Sequence, residues 1–323
     1  MNVTKTLSLG AVLALCAQIP VLAEIKINDN FAVEGYGAVS ARWMDFDSTP
    51  DIDGDSSVDV DASRLLFTGT MDKVTAKAGV YFETDVPGDE KFTLLDIYAT
   101  YKASDNFAFT AGNFLTWLGY EAFHPDSMTT LTYANGDFLG AIPGYHSGVR
   151  FEFTGEGFAA GLAAVDSIYG PNAYRGDGEL DDDAGIEAYA TFTGVENFTL
   201  FGGVAHQTSA DSRTVYDLWA QYVIGAATVA GEFTYHNMEN TPARTGYCWL
   251  ANLNYGFTEM FSTDFRVSGE TLDSDPSFFK YTVAPAVALS KNFIVRGEVS
   301  YYDYEDAFAD SAIFVGGQVL FKF

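Results

Sequence analysis

Charged side chains recur at every second position in several stretches, and that spacing is the first clue to chemistry. Asp264, Arg266 and Glu270 interleave with Phe265, Val267 and Gly269; Arg296 and Glu298 interleave with Val295, Gly297 and Val299; Arg150 and Glu152 interleave with Val149, Phe151 and Phe153. In an extended chain, residues two apart share a face, so each stretch presents acids and bases on one side and apolar groups on the other. Such rows, set across a narrow water-filled gap, create a field that orders polar solutes. The alternative use is plain pairing that keeps a polar wall rigid. Catalytic chemistry is poorly provided for. His146 and Ser147 are neighbours on an extended stretch and face opposite sides, while His124, His206 and His236 have no serine or cysteine nucleophile in a recognisable motif. The chain is therefore not expected to be an enzyme. Asp51, Asp53, Asp55 and Asp59 fail as a calcium loop, because Gly54 stands at the fourth place instead of the sixth and Ala62 replaces the twelfth-place acid. No metal site and no cofactor are expected.

The composition agrees with a folded, exported chain. Of 323 residues, 48% are hydrophobic and 19% charged, with 44 acids against 17 bases and a formal net charge of -27, which argues against nucleic acid as a partner. Aromatic residues at 15%, with only 9 prolines, exclude disordered and collagen-like chains. Two cysteines and four histidines leave no zinc-ribbon, disulfide-scaffold or iron–sulfur framework. Residues 1–23 read as a secretory signal peptide: a basic start through Lys5, an apolar stretch Leu7 to Leu15, and Val21-Leu22-Ala23 before Glu24. Leu15 in front of Cys16 argues against a lipidated start, and cleavage after Ala23 leaves Cys248 as the one cysteine.

The elements that must position those charges are strands. After Ala23 no apolar run approaches the roughly 18 residues of a membrane helix. Instead a short phrase recurs: Ser104-Asp105-Asn106 before Phe107, Gly155-Glu156-Gly157 before Phe158, Val195-Glu196-Asn197 before Phe198, Thr258-Glu259-Met260 before Phe261, and Ser290-Lys291-Asn292 before Phe293. Each is a tight turn followed at once by a phenylalanine, as expected of an aromatic girdle at one membrane interface. Alternating segments fall near residues 31–44, 58–70, 72–85, 92–103, 106–116, 145–154, 157–167, 184–194, 197–207, 214–224, 226–237, 245–257, 260–270, 278–289, 292–303 and 311–323. That predicts an all-β fold, a transmembrane antiparallel barrel of about 16 strands over residues 24–323, with tight turns and both termini on the periplasmic side and loops on the other. No helix or second layer remains to cover the apolar faces, which leaves lipid as their cover.

The last strand carries Ile313, Val315, Gly317, Val319, Phe321 and Phe323 on one face. Here the chain resembles outer-membrane β-barrels, whose C-terminal aromatic is read by the assembly machinery. The segment Gly112-Asn113-Phe114-Leu115-Thr116-Trp117-Leu118-Gly119-Tyr120-Glu121, followed by Gly148-Val149, resembles the OmpL-like β-barrel porins. The resemblance implies a bacterial outer-membrane channel and, as in many porins, a homotrimer. It carries over no catalytic role, and Glu121 only as a loop-base position.

The third large loop, Leu118 to Pro143, holds Leu131, Tyr133, Phe138, Leu139 and Ile142 beside Glu121, His124, Asp126 and Asp137. It is too apolar for a disordered loop and is expected to fold into the lumen as a constriction. With the charged faces inward, the lumen carries Arg42, Arg64, Lys77, Arg150, Arg266, Lys280 and Arg296 against Glu34, Glu83, Asp96, Glu152, Glu187, Asp217, Glu232, Asp264, Glu270 and Glu298. The expected function is passive diffusion of small hydrophilic solutes with a preference for cations. A second reading is a ligand- or sugar-binding channel lined by Tyr36, Tyr81, Tyr98, Tyr189 and Trp219; a third is a soluble secreted β-protein. The acidic loops, including Asp181 to Asp183, read as solvated surface that shares at most weakly held divalent ions with lipopolysaccharide.

Overall fold

The computed structural model describes residues 24–47, 54–84, 90–121, 123–134, 139–169, 183–208, 212–239, 241, 244–307 and 309–323. Alternation of apolar and polar residues drives nearly all of it into strand. The strands are β1 (Ile25–Asn28), β2 (Phe31–Asp47), β3 (Asp55–Met71), β4 (Val74–Thr84), β5 (Glu90–Lys102) and β6 (Phe107–Leu115). There follow β7 (Tyr145–Gly155), β8 (Phe158–Val165), β9 (Gly185–Phe192), β10 (Phe198–Gln207), β11 (Arg213–Ile224) and β12 (Ala227–Met238). The last five are β13 (Gly246–Gly256), β14 (Phe261–Leu272), β15 (Ser277–Ser290), β16 (Phe293–Glu305) and β17 (Ser311–Lys322).

Each strand from β2 onward pairs antiparallel with the next, and β17 pairs back onto β2, for example Val319 with Val39 and Gly317 with Ala41. The sheet therefore closes into a 16-stranded barrel and has no free edge, which removes the usual route to edge-to-edge aggregation. Backbone bonds between Gly35 and Phe323, at 2.7 and 2.9 Å, extend the seam to the last residue. All sixteen predicted segments are present within three residues at either end. The short β1, which pairs Ile25 with Val33, is the one strand the alternation did not indicate, being only four exposed residues long.

The two faces divide as the period-two pattern requires. Phe151, Phe233, Phe265, Tyr281, Val299, Val315 and Phe321 are exposed, as are the turn-following Phe107, Phe158, Phe261 and Phe293. On the opposite face of the strands Glu187, Asp217, Asp264, Arg266, Glu298 and Gln318 are buried. Contiguous exposed apolar surface of this extent is stable against lipid and a liability in water. Among the described residues no helix is long and apolar enough to cross a membrane, so any crossing is by strands.

Register shifts at several places in the ladder, among them between Ala288 and Ser290 of β15. The β2–β3 pairing passes from Ala38 with Ala62 to Val39 with Val60. Asp61 is left without a cross-strand partner, and its carboxylate meets Ser40 and Arg42 on the interior side. The β4–β5 pairing shifts similarly between Ala78 and Val80. On the side of the tight turns the connections are two to five residues long; on the other, 116–144 and 166–184 are far the longest.

Candidate functional site

Segment 116–144 starts from the Gly112 to Glu121 motif, and two glycines there have backbone reasons to be glycine. Gly112 has φ of +135°, and a Cβ on it would lie 2.0 Å from the carbonyl oxygen of Ile97. Gly119 has φ of +97° and a Cβ would press on Ile142 at 3.0 Å. Gly112 thus lets β6 pack closely on β5, and Gly119 lets the chain bend after the strand ends.

Descending residues hand their backbone N–H groups to successive acids. Thr116 Oγ1 and Trp117 N–H donate to Glu187 Oε1 on β9 at 2.9 and 2.6 Å; Gly119 N–H donates to Asp217 on β11 at 2.8 Å, and Tyr120 N–H to Glu232 on β12 at 2.6 Å. Glu121 then pairs with Arg266 on β14 and also accepts the N–H of Ala134 at 2.6 Å, tying the two limbs of the segment together.

The turning point lies among the bases of the last strands. Arg296 on β16 donates to the carbonyls of Met128 and Pro125, the latter at 2.7 Å, and Lys322 on β17 donates to that of Asp126. The N–H of Lys322 donates to the carbonyl of Asn292 at 2.8 Å, in the tight turn between β15 and β16. His124 is buried between two hydroxyls, Tyr36 at 3.0 Å from Nδ1 and Tyr145 at 2.8 Å from Nε2, with the Tyr81 and Phe123 rings edge-on to it. Burial, and then the nearby Arg64 guanidinium, push its pKa well below the ordinary imidazole value of 6.5. Burial likewise raises the Asp126 carboxyl, against the pull of Lys322 and Arg64.

On the return limb Glu298 accepts the N–H groups of Leu131 and Thr132 at 2.5 and 3.1 Å and the Thr132 hydroxyl. Lys280 donates to the carbonyl of Tyr133 at 2.7 Å, Ser268 to that of Ala134 at 2.9 Å, and Leu139 N–H reaches Glu270 at 3.2 Å. Along both limbs the wall acids take the segment's N–H groups, and the bases at the tip and on the return donate to its carbonyls. Ionised partners make these bonds about twice as strong as neutral ones.

The residues singled out from the sequence fall into three groups. Glu121, Asp126, Arg266, Arg296 and Glu298 converge on this segment. Arg42 pairs with Asp61, Arg64 with Asp96, and Asp264 takes Asn252 and Asn254 at 3.3 and 3.2 Å. Lys77, Arg150 and Glu152 lie on β4 and β7, with Arg150 Nε 3.6 Å from Glu152. Asp137 lies outside the described residues, as do Asp51, Asp53, Asp181 and Asp182. Lys322, Asp61 and the Tyr36–His124–Tyr145 arrangement were not singled out, although the alternation opposite Phe321 already places Lys322 with the charged faces. Of the five rings read as a sugar track, Tyr36 and Tyr81 pack on His124, while Tyr189 and Trp219 stack on Phe201 at 5.8 and 5.1 Å, which occupies their faces. Among the described residues no group of histidine, cysteine or acid side chains is placed to hold a metal.

A closed antiparallel barrel with an apolar outside and a charged inside defines an outer-membrane porin class. The family profile described as "Putative beta-barrel porin-2, OmpL-like" matches residues 57–323, and the chain belongs to that family. No curated protein sequence gives a significant match. Among solved structures the chain is similar to the anion-selective porin from Comamonas acidovorans, with a TM-score of 0.70 and 14% identity over 91% of this chain and 99% of that one. It is similar to OprB of Pseudomonas putida, with a TM-score of 0.68 and 12% identity over 91% and 94% of the two chains. It is also similar to OmpT of Vibrio cholerae in a trimer form, with a TM-score of 0.65 and 13% identity over 91% and 100%. The protein is a porin-like barrel of the bacterial outer membrane, and the soluble reading is set aside.

Proposed function

We propose that the protein is a passive diffusion channel for small hydrophilic solutes, narrowed by segment 116–144 lying inside the barrel, and that it is not an enzyme. The supporting observation is the set of strands that the segment touches. One stretch of chain bonds to side chains on β9, β11, β12 and β14 to β17, and through His124 to β2 and β7. A segment outside the barrel could not reach strands on so many sides of a closed ring. In this reading Arg42, Arg64, Lys77, Asp96, Arg150, Glu152, Asp264 and the residues gripping the segment line the remaining water path.

Cation preference follows from the acidic balance. The strand ends and short loops around the far mouth add Asp45, Asp47, Asp55, Asp273, Asp275, Asp303, Glu305, Asp306 and Asp310, and no lysine or arginine stands beside them in 43–47, 54–57, 273–277 or 303–311 among the described residues. A homotrimer is proposed by analogy with the trimer form of OmpT. Lipopolysaccharide contact at the acidic mouth, through shared divalent ions, and recognition of the final strand by the assembly machinery complete the proposal. Deleting 126–137 tests it: single-channel conductance and the size of sugar admitted by liposomes both increase while the barrel still assembles, because no ladder bond is lost. Unchanged conductance and size limit would place the constriction elsewhere.

A further inference from the structure

The interior bases differ sharply in how fully they are used. Arg64, Arg42 and Arg266 each have a carboxylate in direct contact, Arg296 has Gln318 and two carbonyls, and Lys280 and Lys322 each hold a carbonyl of the segment. Arg150 is different. Its nearest acceptors are the carbonyl of Leu115 at 3.4 Å and Glu152 at 3.6 Å, both beyond the 2.7–2.9 Å of a good charge-assisted bond. Its Nε has no hydrogen-bond partner, and the side chain is 15% exposed. What holds the guanidinium in place is a set of rings, Phe114 at 4.5 Å, Trp117 at 5.1 Å and Tyr98 at 5.8 Å. Rings attract a cation through its flat face and leave the N–H edge unsatisfied.

Lys77 is the second base of this kind. It is half-buried, it faces Tyr98 across the β4–β5 pairing, and no carboxylate lies within ion-pair distance of it among the described residues. Lys77 sits near the turn end of β4 and Arg150 at the middle of β7; among the described residues segment 116–144 makes no hydrogen bond to either side chain, and its contact there is the Trp117 ring against Arg150. The bases that grip the segment or meet a carboxylate are engaged; Arg150 and Lys77 are not, and the acid nearest Arg150 is Glu152 at 3.6 Å.

We infer that Arg150, with Lys77 three strands away on the interior face, is a transient binding station for small carboxylate-bearing solutes in the channel. The inference rests on the channel reading and adds a solute class to it. A carboxylate offers two oxygens to the parallel N–H groups of an arginine fork, a fit that lysine cannot reproduce. The acidic mouth and the station act at different places: the mouth sets the overall preference among small ions, and the station retains a carboxylate that has passed it.

The test is uptake of labelled succinate and labelled glycerol into proteoliposomes carrying the full chain, at low salt and low solute concentration. The expected result is a succinate-to-glycerol flux ratio that drops about tenfold in Arg150→Gln, the loss of roughly 1.4 kcal/mol of carboxylate affinity. Arg150→Lys lies between, and Lys77→Met, which leaves Arg150 and its three rings in place, gives a smaller drop. The ratio in the unaltered protein declines as salt rises toward 1 M, where the Debye length is about 3 Å. A ratio unchanged in both Arg150→Gln and Lys77→Met, including the case where the two fluxes fall together, overturns the station and leaves Arg150 a packing residue. Absence of glycerol flux through the unaltered protein overturns the channel reading itself, and the station with it.

Discussion

Replacing Glu298 by alanine should loosen the return limb of segment 116–144 without disturbing the barrel. Glu298 is buried and accepts four hydrogen bonds: from Leu131 N–H at 2.5 Å, Thr132 N–H at 3.1 Å, the Thr132 hydroxyl, and Ser300 Oγ at 2.8 Å. Alanine leaves the two backbone N–H groups without an acceptor, and each such loss costs about 1–3 kcal/mol. Water reaching a half-buried segment restores part of that, so a net loosening of about 3 kcal/mol is reasonable, which is on the order of a hundredfold in the detached population. The strand pairing is untouched, since Glu298 takes part in the ladder through its backbone opposite Gly316. Amide exchange followed by mass spectrometry on the detergent-solubilised protein reads the effect directly. Peptides covering 128–134 should exchange on the order of a hundredfold faster, those covering β14 to β17 as before, with Glu298→Gln between because it keeps one acceptor oxygen. Equal protection of 128–134 in Glu298→Ala and the unaltered protein would refute the argument that wall carboxylates hold the segment.

Two further outcomes follow from the same geometry. Planar-bilayer reversal potentials in a salt gradient should report cation preference, reduced in Glu121→Gln and weakening in strong salt as the Debye length contracts; an anion-selective potential would invert the assignment. Because burial and Arg64 hold His124 neutral in its bound position, the His124 contribution to docking is present above the ordinary imidazole value of 6.5 and is lost as pH falls below it. Current fluctuations should accordingly increase on acidification, and His124→Phe should remove that pH step, with a fluctuation rate independent of pH between about 7 and 5 counting against the role of His124.

The strands were legible because a membrane barrel writes its pattern plainly. Period-two alternation, turn signals before Phe107, Phe158, Phe261 and Phe293, and the apolar face of β17 are local properties, visible without knowing which strand pairs with which. The bulge at Asp61 was not legible, because a single extra residue shifts the register only relative to the partner strand β2, where Ser40 is 21 residues away. The segment's composition suggested that it packs against a wall, yet its partners could not be read. Leu131 and Glu298, or Asp126 and Lys322, meet at separations above 160 residues, and the segment's half of each contact is a backbone group that any residue type supplies. For that reason Glu298 and Arg296 read in the sequence as lumen charges or as wall charges paired with one another, while in the folded chain they bond to the main chain of the segment.

That grip has an implication for how such a protein could be retuned. Gly119, Asp126, Met128 and Leu131 are held to the wall through backbone N–H or C=O groups, while Tyr120 and Tyr133 add a hydroxyl bond, to Gln221 at 3.2 Å and to the Phe123 carbonyl at 2.7 Å. Where the bond is to a backbone group, side-chain identity is uncoupled from the strap's attachment. An engineer could exchange charge or bulk at an exposed position such as Ser127 while the wall side chains continue to hold the strap's backbone in the same place.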